Sequence, residues 1–212
     1  DAGDVAAEYL GLPFKAERPR LYRNNGDGTF ADVTVGAGLD RVIYTMGCNF
    51  GDLDNDGYSD FFAATGDPDL RSLIPNRVFR NDGGTVFQDV SASGGFGQLQ
   101  KGHGVAFGDI DNDGDQDIYT VVGGAYAGDV YHNALYLNPG HGNHWLNLSL
   151  AGSDANRAAI GARIRVGVDT PQGQRAVHAV VGTGASFGAS SLQAEIGLGD
   201  AIAVLEVQVV WP

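Results

Sequence analysis

Nine aspartates crowd into two short stretches of this 212-residue chain. The second, Asp109-Ile110-Asp111-Asn112-Asp113-Gly114-Asp115-Gln116-Asp117, sets carboxylates at positions 1, 3, 5 and 9 of a nine-residue loop, with glycine at position 6. Alternate side chains of a tight loop can converge on one point, and Gly114 supplies the backbone freedom of a sharp turn. Oxygen-only donors suit a hard cation such as Ca²⁺, which takes 6–8 oxygens at about 2.3–2.6 Å. Carboxylates about 4 Å apart repel by roughly 1–4 kcal/mol per pair. Neither loop contains a basic residue to offset that repulsion. The first stretch, Asp52-Leu53-Asp54-Asn55-Asp56-Gly57-Tyr58-Ser59-Asp60, repeats the pattern. EF-hand spacing is excluded, because the twelfth position is Ala63 in one copy and Thr120 in the other, not glutamate. Plain acidic hairpin turns are the alternative, but a turn has no use for four carboxylates.

The elements that must hold these loops repeat as well. The loops start 57 residues apart, and the same offset relates Leu21-Tyr22-Arg23-Asn24 to Val78-Phe79-Arg80-Asn81, Gly47 to Gly104 and Phe50 to Phe107. A third start, Asn133-Ala134-Leu135-Tyr136-Leu137-Asn138, follows at the same interval after Asn76. Each unit holds four short β-like runs, in the first unit 48–50, 60–64, 77–80 and 87–90, with hairpin residues such as Asn81-Asp82-Gly83-Gly84 between the last two. Four antiparallel strands per repeat describe a β-propeller blade, so the expected fold is all-β, with about two blades present. Residues 5–12 have helical character, stopped by Gly11 and Pro13. The long connections 66–76 and 123–132 are candidate binding surfaces. Beyond residue 142 the composition changes: Leu146, Leu148 and Leu150 alternate with Asn147 and Ser149, and 162–168, 177–181, 192–196 and 204–211 supply further strand patterns. The expected division is therefore a repeat region over 1–142 and a small all-β module over 143–212.

The net charge of −13 and pI near 4.5 argue against nucleic acid, which needs a basic face. Cys48 is the sole cysteine, so no disulfide forms within the chain. Its repeat equivalent is Val105, which reads it as a small buried hydrophobe. No run approaches the 18 apolar residues of a membrane span. The chain opens without an initiator methionine or a signal-like stretch and reads as a piece of something longer. Millimolar extracellular Ca²⁺ would fill loops of this type, which places the protein outside the cytosol: secreted, periplasmic or on a cell surface. No nucleophile motif or phosphate loop emerges, and the aspartates are absorbed by the metal reading. Asn147-Leu148-Ser149 is a formal glycosylation sequon inside a strand pattern and reads as chance.

The Phe-Gly before each loop and the Asp-x-Asp-x-Asp-Gly-x-x-Asp loops resemble FG-GAP (VCBS) repeats, the blades of integrin-type propellers. The stretch from Asn143-His144-Trp145-Leu146 through Ala159-Ile160-Gly161-Ala162-Arg163 to Val210-Trp211-Pro212 resembles the ASPIC/UnbV module. The combination is similar to the cartilage acidic protein family and its bacterial relatives. The resemblance implies one Ca²⁺ per loop. Its ligands would be Asp52, Asp54, Asp56, Asp60 and the carbonyl of Tyr58, and Asp109, Asp111, Asp113, Asp117 and the carbonyl of Asp115. It further implies a non-catalytic binding and scaffolding role through protein or glycan contact, with further blades or another subunit as partners. Tyr126, Tyr131 and Trp145 are the candidate glycan-facing aromatics. The alternative is an accessory part of a larger secreted enzyme or a subunit of a membrane-associated complex.

Overall fold

The computed structural model describes residues 2–67, 69, 73–124 and 126–212. Pro68, Leu70, Arg71, Ser72 and Ala125, which belong to the two long connections expected to bind partners, lie outside the described residues. Among the described residues, one helix, α1 (Ala2–Tyr9), precedes fourteen strands. β1 (Tyr22–Asn24) and β2 (Phe30–Asp32) form an isolated hairpin, the outer half of an incomplete blade. Blade one is complete: β3 (Thr45–Gly51), β4 (Asp60–Thr65), β5 (Arg77–Asp82) and β6 (Val86–Asp89), antiparallel and in chain order. Blade two has three strands, not the expected four: β7 (Gly102–Gly108), β8 (Asp117–Val122) and β9 (Ala134–Tyr136). The third start at 133–138 is thus the third strand of blade two, after which the chain turns into the C-terminal module.

The apolar run Phe61-Phe62-Ala63-Ala64 of β4 is explained by burial on both faces. Phe62, Ala64 and β5 Val78 pack toward blade two with Val105, Phe107 and Ile118. Ala63 and Phe79, with Phe61 beside them, pack the other way against Ala37, Leu39 and Ile43. Phe61 and Phe79 stack with ring centroids 4.8 Å apart. Blade two repeats this pattern with one face open. Tyr119, Val121 and Leu135, which lie 57 residues beyond Phe62, Ala64 and Val78, are exposed, whereas the blade-one residues are fully buried. Cys48 departs from expectation for the same reason. It is half-buried, whereas Val105 is buried against blade one. Behind Cys48 the described residues include no inner strand of a preceding blade.

The C-terminal module contains β10 (His144–Leu148), β11 (Arg163–Thr170), β12 (Gly173–Val180), β13 (Ala194–Gly199) and β14 (Ala203–Val210). β12, β11 and β14 form one sheet, and β10 pairs with β13 in a two-stranded ribbon. Ile164, Val166, Val168, Val177, Ile196 and Leu198 fill its core. A loop of this module also runs along the inner strands of the blades. The Ser186 N–H donates to the Cys48 carbonyl at 3.0 Å, and Asn49 Nδ2 donates to Ser190 Oγ at 2.8 Å. Gly104 is required where this loop meets β7, since a Cβ there would strike the Phe187 carbonyl oxygen, and Gly47 where the inner strands of the two blades meet, since its Cβ would strike the His103 carbonyl oxygen.

Candidate metal centre

Each Asp loop runs from the end of an inner strand to the start of the next, β3 to β4 and β7 to β8. The two backbones match. The fourth residue is left-handed in both, Asn55 at φ 55° and Asn112 at φ 63°, a conformation asparagine tolerates. The sixth is glycine at φ 91° in one and 93° in the other. The first aspartate closes each loop from within. Asp52 accepts the N–H groups of Asp56 and Gly57 at 3.1 and 2.9 Å, and Asp109 those of Asp113 and Gly114 at 3.0 Å each.

Folding brings Asp52, Asp54 and Asp56 together, with one oxygen of each within 4.8 Å of the others, and does the same for Asp109, Asp111 and Asp113. The ninth-position aspartates stand beside these triads with both oxygens engaged. Asp60 accepts the Leu53 and Asn81 N–H groups at 2.8 and 2.7 Å, and Asp117 those of Ile110 and Asn138 at 2.9 and 2.8 Å. Each therefore ties loop entry to the third strand of its blade. Tyr58 and Asp115 sit at equivalent turns, their N–H groups donating to Asp56 and Asp113 at 2.8 and 3.0 Å. Asn55 joins the loops, donating to the Gly114 carbonyl at 3.0 Å and to Asp115 Oδ1 at 2.8 Å.

The electrostatics are frustrated. Burial, with Asp56, Asp60 and Asp54 nearby, pushes the Asp52 carboxyl up to about 8, against the opposing Gly57 N–H. Burial pushes Asp60 up to about 7, although two N–H groups oppose it. Loss of solvation, then Asp113 and Asp117, raises Asp111. The Asp54 side chain is 11% exposed, and its Oδ1 has neither solvent nor a hydrogen-bond partner. A buried carboxylate oxygen without a partner is costly. These acidic clusters could hold a metal ion, and an ion here would give that oxygen the partner it lacks.

The C-terminal module covers the loops, which the sequence pattern does not reveal. The ribbon of β10 and β13 has two working faces. Its even-numbered residues Leu146, Leu148, Ala194, Ile196 and Leu198 enter the module core. Its odd-numbered residues meet the loops. Asn147 Nδ2 donates to Asp109 Oδ2 at 3.3 Å, and the Gly199 N–H to the Asn55 carbonyl at 2.7 Å. Glu195 accepts the Asp109 N–H at 3.3 Å and Gln116 Nε2 at 2.8 Å, while Gln116 Oε1 accepts the Asp52 N–H at 2.7 Å. Just before β10, Asn143 Nδ2 donates to the Asp54 carbonyl at 2.7 Å. Trp145 lies on Gly114, where an added Cβ would land on the indole, so this aromatic covers the second loop. Asn147, the sequon residue, is held at the same interface. Neither loop carries a cation, but folding brings two to the first: Arg80 lies 3.7 Å from Asp54 Oδ2, and Arg175 donates to the Asp56 carbonyl at 2.8 Å.

Gly114→Ala is therefore expected to destabilise by at least about 1–3 kcal/mol from backbone strain, plus displacement of Trp145. Gly26→Ala is the control, because Gly26 also has positive φ but open space around it. The readouts are Tm and a red shift of tryptophan emission in Gly114→Ala alone. Equal Tm losses without a spectral change would refute the packing of Trp145 on the loop.

The FG-GAP-like repeat family matches residues 3–63 and 52–120, together more than half of the chain. The chain belongs to the FG-GAP-like repeat family. A second family, ASPIC and UnbV, matches residues 152–212. β10 lies before that match, yet its strand partner β13 lies within it. No curated protein matches the chain. FG-GAP repeats are typical of extracellular proteins and suggest a protein–protein interaction module. Neither family is typically catalytic. No helix among the described residues is long and apolar enough to cross a membrane.

Proposed function

We propose that the chain is a Ca²⁺-stabilised binding and scaffolding unit of a secreted, periplasmic or cell-surface protein, acting by contact and without catalysis. The observation that carries the reading is the buried, partnerless Asp54 Oδ1 among three convergent carboxylates. Asp52, Asp54 and Asp56 would hold one ion, and Asp109, Asp111 and Asp113 the other. Asp60 and Asp117 complete the two sets, since an oxygen that accepts one N–H keeps a lone pair. The carbonyls of Tyr58 and Asp115 contribute as the family resemblance implies. When bound, Ca²⁺ supplies positive charge at the point where three strand ends and the C-terminal ribbon meet.

Tyr119, Val121 and Leu135 support a partner of the same kind. Blade two covers the equivalent positions of blade one, so the open face of blade two fits a further blade, of the same polypeptide or of another subunit. That face also supports membership in a larger assembly, an enzyme or a membrane-associated complex. Glycan contact through Tyr126 and Tyr131 is a secondary reading, resting on their exposure in the 123–132 connection.

Calorimetric titration of the chelator-stripped chain with CaCl₂ is expected to give two ions per chain, with Kd in the range of about 10⁻⁴–10⁻³ M for extracellular modules or tighter. Mg²⁺ is expected to compete poorly, because it demands a small octahedral site and keeps its waters. Absence of binding heat and of any Ca²⁺-dependent rise in Tm at 10 mM would refute the reading.

A further inference from the structure

We infer that the two Asp loops, alike in sequence and backbone, are unequal ion sites, the second much the tighter, because folding gives them neighbours of opposite charge. This inference rests on the Ca²⁺ reading above. At the first loop, Arg80 Nη1 stands 3.7 Å from Asp54 Oδ2, and Gln88 steadies the same guanidinium through Nη2 at 2.8 Å. Arg175 reaches in from β12, bridging the Asp56 and Leu198 carbonyls at 2.8 and 3.0 Å and lying over the Tyr58 ring. An incoming cation must work against both guanidiniums.

The second loop has neither. The residue 57 beyond Arg80 is Leu137. Among the described residues, no Lys or Arg forms an ion pair with an aspartate of the second loop. An imidazole, His141, acts on Asp115 of this loop. From the C-terminal module it receives a carboxylate instead. Glu195 is turned toward it with both oxygens accepting N–H groups, from Asp109 and Gln116. β13 thus adds negative charge beside the second loop, while β5 and β12 add positive charge beside the first.

Ca²⁺ affinity rises with the charge of the ligand set. A unit charge several ångströms away, felt through an effective dielectric near 20, changes affinity by about tenfold or more. The differences at Arg80, Arg175 and Glu195 all act in one direction. A split of at least about tenfold is expected.

The test is calorimetric Ca²⁺ titration of the chelator-stripped chain at pH 8, where imidazoles carry little charge, alongside Asp56→Ala, Asp113→Ala, Arg80→Leu, Arg80→Lys and Glu195→Gln. Circular dichroism confirms that each variant is folded, and Arg80→Lys controls for the side chain independently of its charge. The expected result is two resolved sites, the tight one lost in Asp113→Ala and the weak one in Asp56→Ala. Arg80→Leu tightens the weak site about tenfold or more, Arg80→Lys leaves it nearly unchanged, and Glu195→Gln weakens the tight site about tenfold or more. Two equal sites, a tight site lost in Asp56→Ala, or an unaltered split in both Arg80→Leu and Glu195→Gln would overturn the inference while leaving Ca²⁺ binding standing. No binding at either loop would overturn the Ca²⁺ reading itself.

Discussion

Lys101→Met is expected to cost about 3–5 kcal/mol, the usual penalty for removing one partner of a buried ion pair. Lys101 is 1% exposed, and its Nζ donates to Asp129 Oδ2 at 2.9 Å. The backbone reinforces the pair: the Gly123 N–H donates to the Lys101 carbonyl at 2.9 Å, and the Gly124 N–H to the Asp129 carbonyl at 2.7 Å. Gly124 is needed there, since a Cβ would strike the Asp129 carboxylate. Without the ammonium, Asp129 is left buried and uncompensated. At about 2–4 °C per kcal/mol for a chain of this size, Tm falls by roughly 6–20 °C. Lys101→Met/Asp129→Leu is expected to recover most of the loss, because an apolar pair of similar volume removes the stranded charge. A loss below about 1 kcal/mol in the single variant would show that water reaches the pair.

The second large effect is that of Ca²⁺ on stability. Ions that bind only the folded state stabilise it by about 2.7 kcal/mol per site at a hundred times Kd, hence about 5 kcal/mol for two sites. Asp56→Ala and Asp113→Ala are each expected to abolish one site's share of the gain in Ca²⁺, the larger share being lost in Asp113→Ala because its site is the tighter. In chelator they cost little, because removing a carboxylate relieves its neighbours. Equal destabilisation with and without chelator would mean that something other than metal holds the loops. The pH dependence follows from the raised carboxyls. In chelator the folded chain keeps protons on Asp52 and Asp60 up to about pH 8 and 7, whereas the unfolded chain releases them near the ordinary aspartate value of 3.8. The folded state binds more protons across that window, so this contribution is full below about pH 4 and is lost as pH rises through 7 and 8. With Ca²⁺ the trend reverses, since ion binding expels those protons and strengthens as pH rises. Chemical denaturation at pH 5 and pH 8, with Ca²⁺ and with chelator, checks both signs.

Much of the fold is legible in the sequence because its signals are local. Asx-rich loops with a glycine at the sixth position, hairpin residues between short apolar runs and an internal period each announce an element or its repetition. The β4 run Phe61-Phe62-Ala63-Ala64 is legible as a strand, but that both of its faces are covered depends on blades far apart in the chain. The ribbon was legible only in half. Alternation of Leu146 and Leu148 with Asn147 identifies a two-faced strand, yet a polar face looks the same whether it meets water or other polar groups. Asn147 and Glu195 meet carboxylates and backbone of the loops, and nothing in their spacing announces it. Arg80 and Arg175 were illegible as loop neighbours for a related reason: long side chains find their partners through topology, and Arg175 lies far along the chain from Asp56. Glycines at 197 and 199 were the one available hint, since close backbone approach is a common reason for glycine in a strand.

The ribbon also imposes a chronology. Both Asp loops leave the ribosome well before Glu195, Gly197 and Gly199, and at about 5–20 residues per second the delay is several seconds. Over that interval the blades can bury Phe62, Phe79 and Ile118 among themselves, while the Gly199 N–H, the Arg175 guanidinium and the Glu195 carboxylate do not yet exist. The nascent chain thus carries two acidic loops with their final neighbours unmade. A chain halted before β13 keeps the apolar partners of its blades but leaves their most charged end bare.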